Sequence, residues 1–408
     1  MELKPGYKQT EVGVIPEEWE VVPFSDLLDF RNGANADKGA YGKGTPFINV
    51  LEVITHSHIC AADIPGRVSL SKDTADSYSV RRGDLVFNRT SETQEEVGLA
   101  AVYLDDEAVV FGGFVIRGRQ RTGSLDGGYS GYAFRAPLVR SQIIAKGQGA
   151  IRANIGQADL RQILASRPPL PEQRAIAAAL GDVDALLGAL TQLIAKKRDL
   201  KQATMQQLLT GQTRLPGFRG EWEMRRFGEI AWPRAERIDP QRTGVQDFCV
   251  ELEHIERESG QLLGSAVTDE HSSLKSVFRS GDVLFGKLRA YLRKYWLADR
   301  DGVCSTEVWA LVAQRPVVTP EFLLQMVQVE DFLAAASTVY GTHMPRSDWS
   351  IVRNYEAPLP SVPEQTAIAA VLSDMGAEVA VLGHRLAKTR DLKQGMMQEL
   401  LTGRTRLV

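Results

Sequence analysis

A block of about 45 residues occurs twice in this chain, and a repeat of that length restricts the possible architectures more than any single motif. Pro171 to Leu215 reads PEQRAIAAALGDVDALLGALTQLIAKKRDLKQATMQQLLTGQTRL, and Pro363 to Leu407 reads PEQTAIAAVLSDMGAEVAVLGHRLAKTRDLKQGMMQELLTGRTRL. A shift of 192 positions aligns the copies without a gap, with about 27 identities. Two copies at so long a period imply a duplicated half, not a solenoid.

Apolar residues recur inside each copy at steps of three and four. They are Ile176, Leu180, Val183, Leu187, Leu190 and Ile194 in the first, and Ile368, Leu372, Met375, Val379, Leu382 and Leu386 in the second. Pro-Glu at each start and Gly211 or Gly403 after Leu-Leu-Thr bound a helix of about 40 residues, roughly 60 Å long. So long a helix cannot wrap a small core, and its apolar stripe calls for another helix, the obvious partner being the other copy. Met205, Leu208, Met397 and Leu400 suit either the core seam or a face turned to a partner subunit, with the core favoured.

The repetition extends beyond the helices. EEWEVVPFSDL (Glu17 to Leu27) resembles GEWEMRRFGEI (Gly220 to Ile230), and RRGDLVF (Arg81 to Phe87) resembles RSGDVLF (Arg279 to Phe285). The order is therefore globular domain, helix, globular domain, helix, with boundaries expected at 1–165, 166–212, 213–357 and 358–408. Equal halves of this kind pack with approximate two-fold symmetry if the helices run antiparallel, which would set the domains at opposite ends of a rod. The expected fold class is α/β (α+β), two mixed domains separated by an antiparallel helical spacer. Expected strands include Pro46 to Ile54, Asp84 to Asn88, Leu99 to Leu104 and Ala108 to Gly118.

A length of 408 residues agrees with more than one domain. No fully apolar run approaches the roughly 18 residues of a membrane span, and the N-terminus lacks the apolar core of a secretory signal, so a soluble, cytoplasmic protein is expected. Cys60, Cys249 and Cys304 are odd in number and far apart, as expected of buried apolar fillers. His56, His58 and Cys60 alternate and would share a strand face, but lacking a fourth ligand they are read as structural, and no metal is expected. No phosphate-binding loop, nucleophile elbow or zinc-protease motif is present in the sequence.

Basic and aromatic residues interleave in GKLRAYLRKYW (Gly286 to Trp296), a mixture suited to a face that enters a DNA groove. Lys287, Arg289, Tyr291 and Arg293 are its candidates, with His343 and Arg346 nearer the second helix. The matching place in the first half reads NRTSETQEEVG (Asn88 to Gly98), giving Asn88, Arg89 and Thr90, joined by Arg152 and Asn154. Glu92, Glu95 and Glu96 would repel phosphate unless they point away. The net charge of −3 requires any basic surface to be local and supports the competing reading, a two-lobed coiled-coil scaffold for protein partners without DNA contact. The helices barely differ between copies while these loops differ sharply, as in a common spacer carrying two different recognition tips.

Taken together, EVGVIPEEWEV (Glu11 to Val21), GDLVFNRT, GDVLFGKL, the Pro-Glu-Gln-x-x-Ile-Ala helix entries and the twice-used RDLKQxxMQxLLTGxTRL exit resemble the specificity subunits of type I DNA restriction-modification systems over essentially the whole chain. The resemblance implies two target-recognition domains, each reading half of a split DNA site in the major groove, with the helices as ruler and docking strip. It implies two methylation subunits as partners, which hold S-adenosylmethionine and methylate adenine N6. It further implies restriction subunits, where present, that use ATP and Mg. On this reading the chain itself is non-catalytic and binds no cofactor.

Overall fold

In the computed structural model, residues 5–149, 152–269, 272–338 and 344–407 are described. The chain divides into two compact units, Met1–Ala189 with Leu386–Val408, and Leu190–Arg385. Each unit therefore contains the N-terminal part of one long helix and the C-terminal part of the other.

The long helices run Leu170–Leu209 and Val362–Leu400. Gly211 and Gly403 follow them, both at φ +72°, the left-handed conformation that ends a helix at little cost only for glycine. In the second unit Lys197 meets Glu378 at 2.7 Å and Lys201 lies beside Gly376, so the segments run antiparallel. In the first, Asp184 meets Lys393 at 2.6 Å. Ile176, Leu180, Leu190, Ile194, Ile368 and Leu372 are buried, and Val183, Leu187, Met375, Val379, Leu382 and Leu386 half-buried. Leu400 sits in the first unit's core and Leu208 in the second's, with Met397 and Met205 packed against them. One expectation needs correction: each helix contains an 18-residue stretch long and apolar enough to match a membrane span. Its alanines and leucines supply that apolarity, and of the two carboxylates within each stretch one, Asp184 or Glu378, is paired to a lysine of the other helix while the other, Asp182 or Asp374, is exposed.

The globular part of each unit is built on the same two sheets. In the first unit, strands Leu28–Asn32, Val115–Gln120, Leu85–Asn88, Ala100–Tyr103 and His58–Ile59 lie in that order. The second unit repeats the first four as Ala231–Pro233, Val308–Ala313, Val283–Gly286 and Tyr295–Leu297. The other sheet contains one parallel pair in each unit, Val109–Phe111 with Tyr41–Ile48, and Gly302–Ser305 with Cys249–Val250. Asp84 and Asp282 close the Gly-Asp turns through the N–H of Arg81 and Arg279, at 2.9 Å each. Their carboxylates then hold Arg119 and Arg234.

Some strand limits shift. Pro46 to Ile54 is half strand, half helix, because Asn49 and Glu52 form a capping box that starts a helix at Val50. The Ala108 to Gly118 run breaks at Gly112 and Gly113, leaving strands in different sheets. Cys249 and Cys304 are buried, but Cys60 is exposed, since it caps the short turn Ala61–Asp63 at the surface.

Candidate nucleic-acid interface

The Pro-Glu-Gln entry shows how each long helix is anchored to the globular part of its unit. Glu172 is fully buried, accepting from the Trp19 indole at 2.8 Å and from the Arg406 guanidinium. Burying a carboxylate is tolerable when charged and neutral donors saturate it in this way. The same bond to Glu172 holds the Arg406 pKa above its usual range. In the second unit Glu364 accepts from the Trp222 indole at 3.2 Å and from Arg214 through two nitrogens. The neighbouring glutamines are equally committed. Gln173 donates to the Ser124 and Pro168 carbonyls and accepts from Asp126 N–H, and Gln365 donates to Val317 and Pro360 and accepts from Thr319 N–H. These bonds tie the helix start to a short helix of its own unit, Gly127–Ala133 or Pro320–Met326.

Beyond the buried strand Leu85–Asn88 the first loop returns to pair with Ala153–Asn154, placing Thr90 opposite Asn154. The Thr90 hydroxyl donates to Asn154 Oδ1 at 2.7 Å, and Arg152 lies 3.6 Å from Glu92. Three residues of the expected set, Thr90, Arg152 and Asn154, are thus together despite their separation in sequence. Arg89 is exposed, and its side chain makes a single long hydrogen bond among the described residues, 3.4 Å to the Gly113 carbonyl. Asn88 is different. It is fully buried and donates to the Glu96 carbonyl, so in this conformation its amide faces the domain interior. As the last residue of a strand buried on both faces, it has no open side. The acidic residues are partly accounted for, as Glu96 accepts from the Ser91 hydroxyl and the Glu95 carbonyl from Arg140.

The second loop leaves the equivalent strand at Gly286 and folds over a short turn, Ala290–Leu292. Arg289 and Arg293 flank it at φ +54° and +51°, conformations that L side chains adopt at a cost, and such strain gathers at functional sites. Arg289 N–H donates to the Pro345 carbonyl and Ser347 N–H to that of Lys287, so Lys287, Arg289 and Arg346 share one rim. Arg346 is paired with Glu307 at 2.8 Å, whereas the exposed Arg289 has no ion pair among the described residues. Tyr291 projects with 52% of its surface exposed. Arg293 is turned to Glu330, and the Lys294 ammonium to the Leu252 carbonyl. Tyr295 and Trp296 are core residues. His343 lies outside the described residues.

One arrangement escaped the sequence reading. Strand pairing brings Arg81 and Arg82 beside Arg119 and Arg121 along a cleft of about 650 Å³ in the first unit, for which the run Arg117-Gly-Arg119-Gln-Arg121 was the available signal. His56 and His58 do not form a metal cluster, and no group of three or more His, Cys, Asp or Glu placed to hold a metal occurs among the described residues. His58 instead bonds the Gly128 carbonyl at 2.8 Å and lies edge-on to Tyr132, and burial pushes its pKa down.

Comparison with known proteins bears on this duplicated frame. The crystal structure of a type I restriction-modification S subunit from M. genitalium matches 98% of this chain and 98% of its own, with TM-score 0.59 and 14% identity. This chain carries the specificity-subunit fold. A second solved chain, from a study of complex assembly and conformational transition of the type I restriction-modification system, matches 96% of this chain and 99% of its own at TM-score 0.55 and 16% identity. Among characterised sequences, the chain is 29% identical over 208 residues to a putative type I restriction enzyme MjaX specificity subunit of Methanocaldococcus jannaschii, spanning about half of each protein. It is 20% identical to the EcoDI specificity subunit of Escherichia coli over 96% of this chain and 89% of that protein. No family model matches it. The specificity-subunit likeness expected from the sequence therefore holds across nearly the full length.

Proposed function

We propose that the chain is the DNA-reading subunit of a type I restriction-modification complex, each unit reading one half of a split site. The observation that carries this reading is the pair of tips. They leave the same strand of the same sheet in both units and present different side chains, Arg89, Thr90 and Arg152 against Lys287, Arg289 and Tyr291, of which Arg89, Arg152, Arg289 and Tyr291 are exposed. A scaffold gives no reason for the tips to differ so sharply while the helices barely change. Arginine and asparagine at such tips discriminate bases by about 1–3 kcal/mol per bidentate contact.

The long helices then set how many unread base pairs separate the half-sites, in steps related to the helical turn of about 34–36 Å. They also offer a docking strip. Leu186, Leu193 and Leu200 recur every seventh residue and are exposed, as are Val381 and Leu392 on the second helix. Two methylation subunits docked there would supply S-adenosylmethionine and the adenine chemistry, and restriction subunits would join through them with ATP and Mg. This chain acts by positioning DNA and performs no chemistry of its own, in keeping with a cytoplasmic protein. Methylome sequencing of cells expressing it with its cognate methylation subunit, beside that subunit alone, tests the proposal. The expected result is N6-methyladenine in a split motif only when both are present; a stable complex without chain-dependent methylation would overturn it in favour of the scaffold.

A further inference from the structure

The duplication provides an internal control for one half-buried lysine. Lys393 and Lys201 occupy the same position of the repeated RDLKQ segment. Lys393, in the first unit, is neutralised by Asp184 at 2.6 Å, and Asp184 also accepts the Tyr132 hydroxyl at 2.7 Å. The repeat position of Asp184 is Gly376. A Cβ placed there would lie 3.3 Å from the Lys201 ammonium, so the second unit has the cation without the carboxylate.

The absence of a side chain there leaves space. A cleft of about 510 Å³ lies within the second unit, lined by Lys201, Gly376 and Gly383, with Arg198 and His384 from the helices, Tyr295 from the sheet, and two acidic residues, Glu256 and Glu258. Arg257 and Arg293 also border it but are held by Glu258 and Glu330. Lys201 and Arg198 have no ion pair among the described residues. An amine in such surroundings carries an uncompensated desolvation cost, and the Lys201 pKa is accordingly pushed below the usual lysine range by burial.

We propose that this cleft is an anion site for a carboxylate-bearing ligand, whose carboxylate takes the position by Lys201 that Asp184 fills beside Lys393. Arg198 supplies a second cationic group, which favours a ligand with two acidic functions. The ligand is either a free dicarboxylate or a pair of acidic side chains on a docking segment, and the chemistry at Lys201 is the same for both. The proposal does not depend on DNA recognition.

Thermal unfolding and calorimetric titration of the full chain at constant ionic strength test it, with sodium glutarate as one probe and the capped peptide Ala-Glu-Glu-Ala as the other. The wild type should show a saturable rise in unfolding midpoint with at least one probe. Lys201→Met should weaken binding at least tenfold. Gly376→Asp, which restores the ion pair of the other copy, should unfold at a higher midpoint without ligand and respond to neither probe. A response to glutarate alone assigns a free carboxylate, and one to the peptide alone assigns acidic side chains. Equal responses in all three proteins, or none in the wild type, would overturn the site.

Discussion

Two regions of this molecule were duplicated together and then diverged differently. At the helix junctions the copies correspond residue for residue, with Trp19, Glu172 and Arg406 in one and Trp222, Glu364 and Arg214 in the other. At the tips they share only their place in the sheet, one a two-residue strand paired with the distant Ala153–Asn154, the other a strained turn carrying Arg289 and Tyr291. The physical difference is burial. A buried carboxylate with two donors loses several kcal/mol when any partner is removed, so substitution there is punished. An exposed arginine on a loop contributes almost nothing to folding, and its identity is free to follow whatever it binds.

Glu172→Ala and Glu364→Ala are expected to have the largest effect, about 3–5 kcal/mol each, because each leaves an arginine and an indole facing a buried gap. Denaturant unfolding measures the loss, and hydrogen exchange should confine it to the unit containing the substitution. If only one of the two destabilised, the junctions would not be equivalent. Lys287→Ala comes next: if Lys287 contacts phosphate, affinity should fall uniformly across DNA sequences and the salt slope shrink by about 1, with folding unchanged. Thr90→Val should cost about 1 kcal/mol by removing the bond to Asn154, seen as faster exchange in the first tip alone.

The smallest effect concerns pH. Burial lowers the folded-state pKa of His58, so the unfolded chain binds the proton more readily, and stability is lost as pH falls through the ordinary histidine value near 6.5. The groups facing it are the Gly128 carbonyl, Ser57, Tyr132, Asp184, Lys393 and Arg135. His58→Gln should flatten this dependence, read by unfolding from pH 8 to about pH 5.

The repeat made the helices legible almost to the residue, because apolar spacing and Pro-Glu and Gly end signals are local. The tips were legible as blocks for a related reason: a buried strand followed by a loop of different character is visible in one dimension. Asn88 was less so, since its spacing suggested an open position while the strand around it is buried on both sides. Local pattern could not reveal that Arg406 completes the first unit from the far end of the chain. Nor could it reveal that Lys201 lacks a carboxylate, which required knowing that position 376 faces it across two helices. The helix at Val50 was missed because apolar Leu51, Val53 and Ile54 suit either state, and only the Asn49 cap decides.

The central claim is that the tips read separate halves of one DNA site. Its most direct test is the methylome of cells carrying the cognate methylation subunit with either the wild-type chain or the double variant Arg289→Ala, Tyr291→Ala. The account predicts a split methylation motif in which one half loses base preference while the other half and the spacing between them are unchanged. Loss of preference in both halves, or a motif identical to the wild type, would contradict it.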